Sequence, residues 1–293
     1  MKSFLLALDQ ALTAWDTFYF RARNVFYRAV AWFKRACYRS HFADLSHPGY
    51  LPYREFQILK AIDKNVFGSA KLPENYGQSL DERIVEYPWI FSRLSPGPGR
   101  LLDAGSVLNF DALLRRPIFS NKQVFISTLA PETQSAWWRK ISYTYEDLRS
   151  ASYKDDYFDW IVCLSTIEHV GMDTSVYTKG ETNSELRPQD ALVFLKELHR
   201  VLKPGGTLFL SFPFGKRSIQ DSLQIFDQKG TEELVAAFHP RMEIQNFYRH
   251  TQKGWRACSA EQAADAGGFW NSAQPNPTRT VAAEAVACLE LVK

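Results

Sequence analysis

Little in this chain of 293 residues supports metal or disulfide chemistry. It has four cysteines, Cys37, Cys163, Cys258 and Cys288, spread along the chain without a CxxC pair. That spacing argues against a zinc ribbon or a disulfide framework, so no metal is expected, and it fits a reducing, cytoplasmic compartment. Charge of one sign is lacking too: Lys+Arg 35 against Asp+Glu 32 leaves a net +3, too balanced to mark a nucleic-acid binder. Long unbroken apolar runs are missing. The most apolar stretch near the N-terminus, "SFLLALDQALTAWDTFYF", is interrupted by Asp9, Gln10 and Asp16, which are costly at a bilayer centre, so no spanning helix is expected. The same stretch lacks the small-residue cleavage site of a signal peptide. A GxGxxG fingerprint and a Walker loop are also absent, which argues against NAD, FAD or nucleoside triphosphate binding.

What is present divides the chain into three. Residues 1–45 read as a basic amphipathic helical extension. Trp15, Phe18, Tyr19, Ala22, Val25, Phe26, Ala29, Val30, Phe33, Ala36 and Cys37 make one helical stripe, and Arg21, Arg23, Arg28, Lys34, Arg35 and Arg39 line the other side. Such a helix packs on its own core or a second subunit, or lies on a membrane surface through residues 15–39; both readings stand. Residues 46–98 form a helical lead-in: "SHPGYLP" breaks the chain, a helix is expected from about Tyr53 to Val66, and a second in "SLDERIVEYPWIFSRL".

From residue 99 to 293 short apolar runs alternate with helical patterns. "RLLDAG", "QVFIST", "ISYTYE", "FDWIVCLS" and "GTLFLSFPF" read as strands, and "MEIQNFYRH" and "AVACLELVK" as two more, one of them antiparallel. "PQDALVFLKELHRVLKPGG" places Ala191, Phe194, Leu195, Leu198, Val201 and Leu202 on one helical face, ended by Pro and Gly. "GWRACSAEQAADAGGFW" reads as a strand-to-helix lead followed by a turn, with its small helix packing on the sheet. The expected fold is α/β, a doubly wound, mostly parallel seven-stranded Rossmann-like sheet with an N-terminal helical extension.

In such a sheet ligands sit beyond the carboxyl ends of the strands. The first strand ends in "GRLLDAGSVLNF", where Gly105 allows close backbone approach and the following N–H groups can receive an anion. The fourth ends in "LSTIEHVG", where His169 suits proton transfer near neutrality. "GMDTSVYTKGETNSELRPQD" follows as a polar insertion placed like an acceptor lid.

"LLDAGS", "YEDLRS", "DDYFDWIVCLSTIEHVG" and "ELHRVLKPGGTLFLSFPFG", in this order, resemble the class I S-adenosylmethionine-dependent methyltransferases, in the type-11-like branch. "STIEHVG" with "LSFPFG" is similar to a subgroup met among cell-surface glycan enzymes, and the resemblance runs from about residue 86 to 292. It implies S-adenosylmethionine as cofactor, with Asp103, Gly105 and Ser106 at its methionine end and Asp147 and Leu148 beside adenine. Thr128 would reach the ribose, and Ser165 would lie between cofactor and substrate. Glu168 and His169 would be the catalytic pair, and the reaction O-methylation of a sugar or lipid-linked glycan.

Two departures from the family pattern stand out. Val107 and Asn109 occupy positions where the pattern has glycines, and Ser127 and Thr128 stand where an acid normally ends the second strand. Glu132 substitutes for that acid if the loop folds back. These departures keep open a second reading, a non-catalytic methyltransferase-like scaffold acting through its N-terminal helix. Asp147 also reads as a helix N-cap, and His169 as a loop-orienting group.

Overall fold

A computed structural model describes residues 29–35, 38, 48–69, 71–132, 135–136, 139–178, 185–220, 222–267 and 283–293. Most of the 15–39 stripe therefore lies outside the described residues. Its described part, α1, is helical over residues 29–35 and leaves Trp32 and Phe33 exposed. Arg35 lies over the Phe56 ring, and Tyr38 is buried against Tyr50 and Tyr53.

The lead-in folds as α2 (Tyr50–Asp63) and α3 (Arg83–Phe91). In α3 every residue from Ile84 to Ile90 is buried. Pro88 inside it cannot donate to the Ile84 carbonyl, and the Tyr76 hydroxyl donates to that oxygen instead, 2.5 Å away. The vacancy proline leaves in the helical ladder is thus filled from outside.

Then come β1 (Gly99–Ala104), α4 (Asp111–Leu114), β2 (Lys122–Thr128), β3 (Ser142–Tyr145), β4 (Phe158–Leu164), α5 (Ser175–Thr178) and α6 (Asp190–Val201). The chain continues through β5 (Leu202–Pro213), β6 (Ser218–Ile219), β7 (Gln224–Ile225), α7 (Gln228–Phe238), β8 (Met242–Thr251), β9 (Gly254–Cys258), α8 (Ala260–Ala263) and β10 (Ala285–Val292). The main sheet runs β3-β2-β1-β4-β5-β10-β8-β9, and β6 and β7 form a separate two-stranded ribbon. The first five strands are parallel neighbours, and β10 is antiparallel to both β5 and β8.

Strand side chains alternate between faces, so β1 sends Leu101 into one core and Leu102 into the other. One core joins Leu101, Val162 and Phe209 to α3 through Ile84, Trp89 and Ile90. The other joins Leu102, Ile161 and Leu208 to α6 through Phe194, Leu195 and Leu198, and to α7 through Leu234 and Phe238. Cover on both faces explains why these strands are continuously apolar.

The sheet has eight strands, one more than expected. "GWRAC" is β9, paired antiparallel to β8. Its own apolar pattern is thin, and the lead-in fixes it: Trp255 N–H donates to the Tyr76 carbonyl at 2.7 Å and its indole N–H to the Leu80 carbonyl at 2.9 Å. The other strands and the helix read in 190–201 stand where the sequence places them.

Candidate active site

The loop after β1 is built around Asp103. Its side chain is fully buried and accepts from the backbone N–H of Val107 (3.0 Å) and of Leu108 (2.8 Å). Each carboxylate oxygen thus accepts one backbone N–H and shapes the loop. Burial pushes this carboxyl up to about 7, against the pull of those two N–H groups. Gly105 follows at φ +111, and an added Cβ would collide with the Thr166 side chain from the end of β4. Only glycine lets the two strand ends meet this closely. Ser106 is also left-handed, at φ +61, a conformation rare outside glycine, and its buried hydroxyl has no hydrogen-bond partner among the described residues.

Val107 and Asn109 do not break the loop. The Val107 carbonyl accepts from the Tyr87 hydroxyl of α3 at 2.6 Å. Asn109 donates through Nδ2 to Glu132 at 2.7 Å and accepts through Oδ1 from the Tyr143 hydroxyl at 2.9 Å. The loop after β2 does fold back, bringing Glu132 to the β1 loop. At the end of β2, Ser127 is fully buried with its hydroxyl donating to Glu146, and the Thr128 carbonyl accepts from the Glu146 N–H.

Beyond β3, Asp147 is the N-cap of a single 3-10 turn, Leu148–Ser150, accepting from the Arg149 N–H at 2.8 Å. Leu148 is buried in the α6-side core. Burial acts to raise Asp147, but the Arg149 side chain and backbone outweigh it and hold the carboxylate below its usual range. Arg149 also pairs with Glu185 and Asp190, which ties this turn to the far end of the polar insertion. The ends of that insertion meet, with Arg187 N–H donating to the Gly171 carbonyl at 2.7 Å; residues 179–184, including Lys179 and Glu181, lie outside the described part.

The end of β4 carries the densest set of polar groups. Ser165 is left-handed at φ +40 and donates through its hydroxyl to Glu86 Oε1 at 2.5 Å. Ser211, fully buried in β5, donates to the same oxygen, and Arg83 donates to Glu86 Oε2 at 2.9 Å. Glu168 is buried, its Oε2 has no hydrogen-bond partner among the described residues, and burial raises its carboxyl well above the usual range. His169 Nδ1 lies 2.6 Å from the Ser222 carbonyl. A carbonyl only accepts, so Nδ1 carries the proton and Nε2 is the basic nitrogen. Burial holds this imidazole below its usual pKa, hence neutral near pH 7. Nε2 stands 4.0 Å from Glu168 Oε1, too far for a direct hydrogen bond.

The structure thus joins the ends of β1 and β4 through Gly105 and Thr166, with Asp147 just past the end of β3, on the far side of β2 from β1. The buried oxygens of Ser106 and Glu168, unpaired among the described residues, are ones a polar ligand at these strand ends would satisfy, so the residues present fit a nucleoside-like cofactor. Sequence reading missed Glu86, Arg83 and Ser211. Their signal was an acid inside the apolar run "RIVEYPWIF" and a serine inside "TLFLSFPF". Glu86→Ala strands the buried Ser211 hydroxyl, the half-buried Ser165 hydroxyl and the Arg83 guanidinium. It is expected to cost about 3 kcal/mol by urea unfolding, the low end for a broken buried pair because Arg83 keeps some exposure. Glu86→Gln, which keeps an acceptor, should recover part of that; full stability in Glu86→Ala would contradict this role.

Residues 105–210 match the family model described as a methyltransferase domain. No curated protein matches the chain. Among solved structures, the chain is similar to the 1,6-didemethyltoxoflavin-N1-methyltransferase of Burkholderia thailandensis, crystallised with 1,6-didemethyltoxoflavin and S-adenosylhomocysteine. Identity there is 13%, coverage 67% of this chain and 72% of that one, and the TM-score 0.40. It is similar to a SAM-dependent methyltransferase from Methanosarcina mazei at 15% identity, covering 69% and 96%, with a TM-score of 0.42. A Haemonchus contortus phosphoethanolamine N-methyltransferase is similar at 16% identity, covering 54% and 37%, with a TM-score of 0.38. The matched segment runs from the glycine of the β1 loop through Glu168 and His169 into β5 and so contains most of the site described above: it is this part of the chain, residues 105–210, that is similar to a methyltransferase domain.

Proposed function

We propose that the chain is an S-adenosylmethionine-dependent methyltransferase that acts on a hydroxyl of a sugar or lipid-linked glycan, with His169 as general base and Glu168 as its polar neighbour facing the acceptor. The observation that carries this reading is the His169 tautomer: Nδ1 bound to the Ser222 carbonyl leaves Nε2 as the proton acceptor, in a ring kept neutral by burial. A neutral imidazole suits a hydroxyl, which must lose a proton as it is alkylated. S-adenosylmethionine supplies a methyl group on a positively charged sulfur, so no covalent enzyme intermediate is needed. What remains for the protein is positioning, exclusion of water and proton transfer.

Gly105, Ser106 and the loop shaped by Asp103 would hold the methionine end of the cofactor, Asp147 and Leu148 would stand beside adenine, and Ser165 would lie between cofactor and acceptor. No described helix is long and apolar enough to cross a membrane. The exposed Trp32 and Phe33 of α1 support contact of residues 15–39 with a membrane surface, where a lipid-linked acceptor would be found.

The test is release of S-adenosylhomocysteine from S-adenosylmethionine with free glycosides, with lipid-linked glycosides on anionic vesicles, and with primary amines of similar size. Turnover with glycosides, greater on vesicles that also sediment the protein, is expected. Turnover with amines alone would overturn the hydroxyl acceptor, and equal rates without vesicle binding would overturn the membrane contact.

A further inference from the structure

Asn109 and Glu132 are separated by 23 positions yet share a hydrogen bond of 2.7 Å, at the place where the sequence departs from the glycine-rich pattern. We propose that Glu132, held by Asn109, receives the cis-diol of the cofactor's ribose, so that the two departures form one compensating device. This rests on the chain binding S-adenosylmethionine.

A nucleoside diol presents two adjacent hydroxyl donors, and in doubly wound sheets a carboxylate after the second strand takes them. Of the other groups at the end of β2, Ser127 and Glu146 are engaged, and Thr128 offers an uncharged hydroxyl, a weaker acceptor than a carboxylate. Ser127 is fully buried and donates to Glu146. Glu146 accepts from Ser127 through Oε1 and from the Ser152 N–H through Oε2. Glu132 is exposed at the loop rim, and a carboxylate that accepts one N–H keeps further lone pairs for hydroxyl donors. Its charge acts on Asp103, which places it within electrostatic reach of the loop that Asp103 shapes.

The orientation of Asn109 is fixed from behind. The Tyr143 hydroxyl donates to Asn109 Oδ1, and the Ala136 N–H donates to the Tyr143 oxygen at 2.6 Å, so Asn109 Nδ2 faces Glu132. A glycine at 109 would remove the only side chain in this chain of bonds that touches Glu132. Restoring the pattern residue is therefore predicted to weaken the site.

The experiment is calorimetric titration of the full chain with S-adenosylhomocysteine and with its 2′,3′-dideoxy analogue. Glu132→Gln is expected to weaken S-adenosylhomocysteine binding about tenfold, the loss of hydrogen bonds to a charged acceptor, and to leave dideoxy binding unchanged. Asn109→Gly should cause a loss of the same order, and the double variant no further loss. If the wild type binds S-adenosylhomocysteine and Glu132→Gln binds it equally well, or loses both ligands alike, the assignment of Glu132 is overturned while the cofactor reading stands. Absence of binding to the wild type would overturn the cofactor reading, and with it this inference. Because the dideoxy analogue is measured on each variant, a folding defect cannot imitate the expected pattern.

Discussion

Substituting asparagine for His169 is expected to lower methyl transfer to a hydroxyl acceptor by roughly 100- to 10,000-fold, the range for losing a general base. Asparagine is the informative replacement because its amide can still donate to the Ser222 carbonyl, which the His169 Nδ1 faces at 2.6 Å. The 3-10 turn Ile167–His169 is then kept while Nε2 is lost. Affinity for S-adenosylhomocysteine and the melting temperature should stay near wild type, separating proton transfer from loop positioning. The pH profile gives an independent check. A base must be unprotonated, and burial holds His169 below its ordinary 6.5. Turnover should therefore be flat near neutrality and fall only as pH drops through that lowered value. A variant with wild-type turnover, or a profile without an acid limb, would remove His169 from the chemistry.

Asp103→Ala is the second large effect, and here stability and binding fall together. The carboxylate holds two backbone N–H groups in a fully buried loop. Leaving both unpaired is expected to cost about 3–5 kcal/mol, and S-adenosylhomocysteine binding should disappear in the protein that remains folded. The pH dependence of stability follows from the same burial. Asp103 sits at about 7 in the fold against an ordinary 3.8, and Glu82 at about 8 against 4.5. An acid that keeps its proton in the fold but not in the unfolded chain stabilises most at low pH. Its contribution is complete below the unfolded value and is lost as pH rises through the folded one. Melting temperature should thus decline from about pH 5 to pH 8. In Asp103→Asn the part of that decline ending near 7 should vanish and the Glu82 part remain. A melting temperature that rises over this interval would show that these acids are not protonated in the fold.

The strands and the long helix were legible because periodicity carries burial directly: "FDWIVCLS" is apolar on both faces because α3 covers one and α6 the other. β9 was legible as a strand leading into a short helix but not as an eighth strand of the sheet, since Trp255 is held by carbonyls of residues 76 and 80 rather than by a pattern of its own. The site was partly legible. Asp103, Gly105, Ser165, Glu168 and His169 do stand at the carboxyl ends of parallel strands, but the hydrogen bonds that organise them cross large sequence distances. Glu86 reaches Ser165 and Ser211 from a helix that precedes the first strand, and Tyr87 on the same helix holds the Val107 carbonyl. No spacing rule within the 105–210 match reveals those partners.

The central claim is that a β1 loop carrying Val107 and Asn109 in place of glycines still forms a working cofactor site. Calorimetric titration of the wild-type chain with S-adenosylhomocysteine at pH 7 tests it directly. Saturable binding at one site per chain, with micromolar affinity, is predicted; a folded protein that gives no binding heat, and no thermal shift with the same compound, would contradict it.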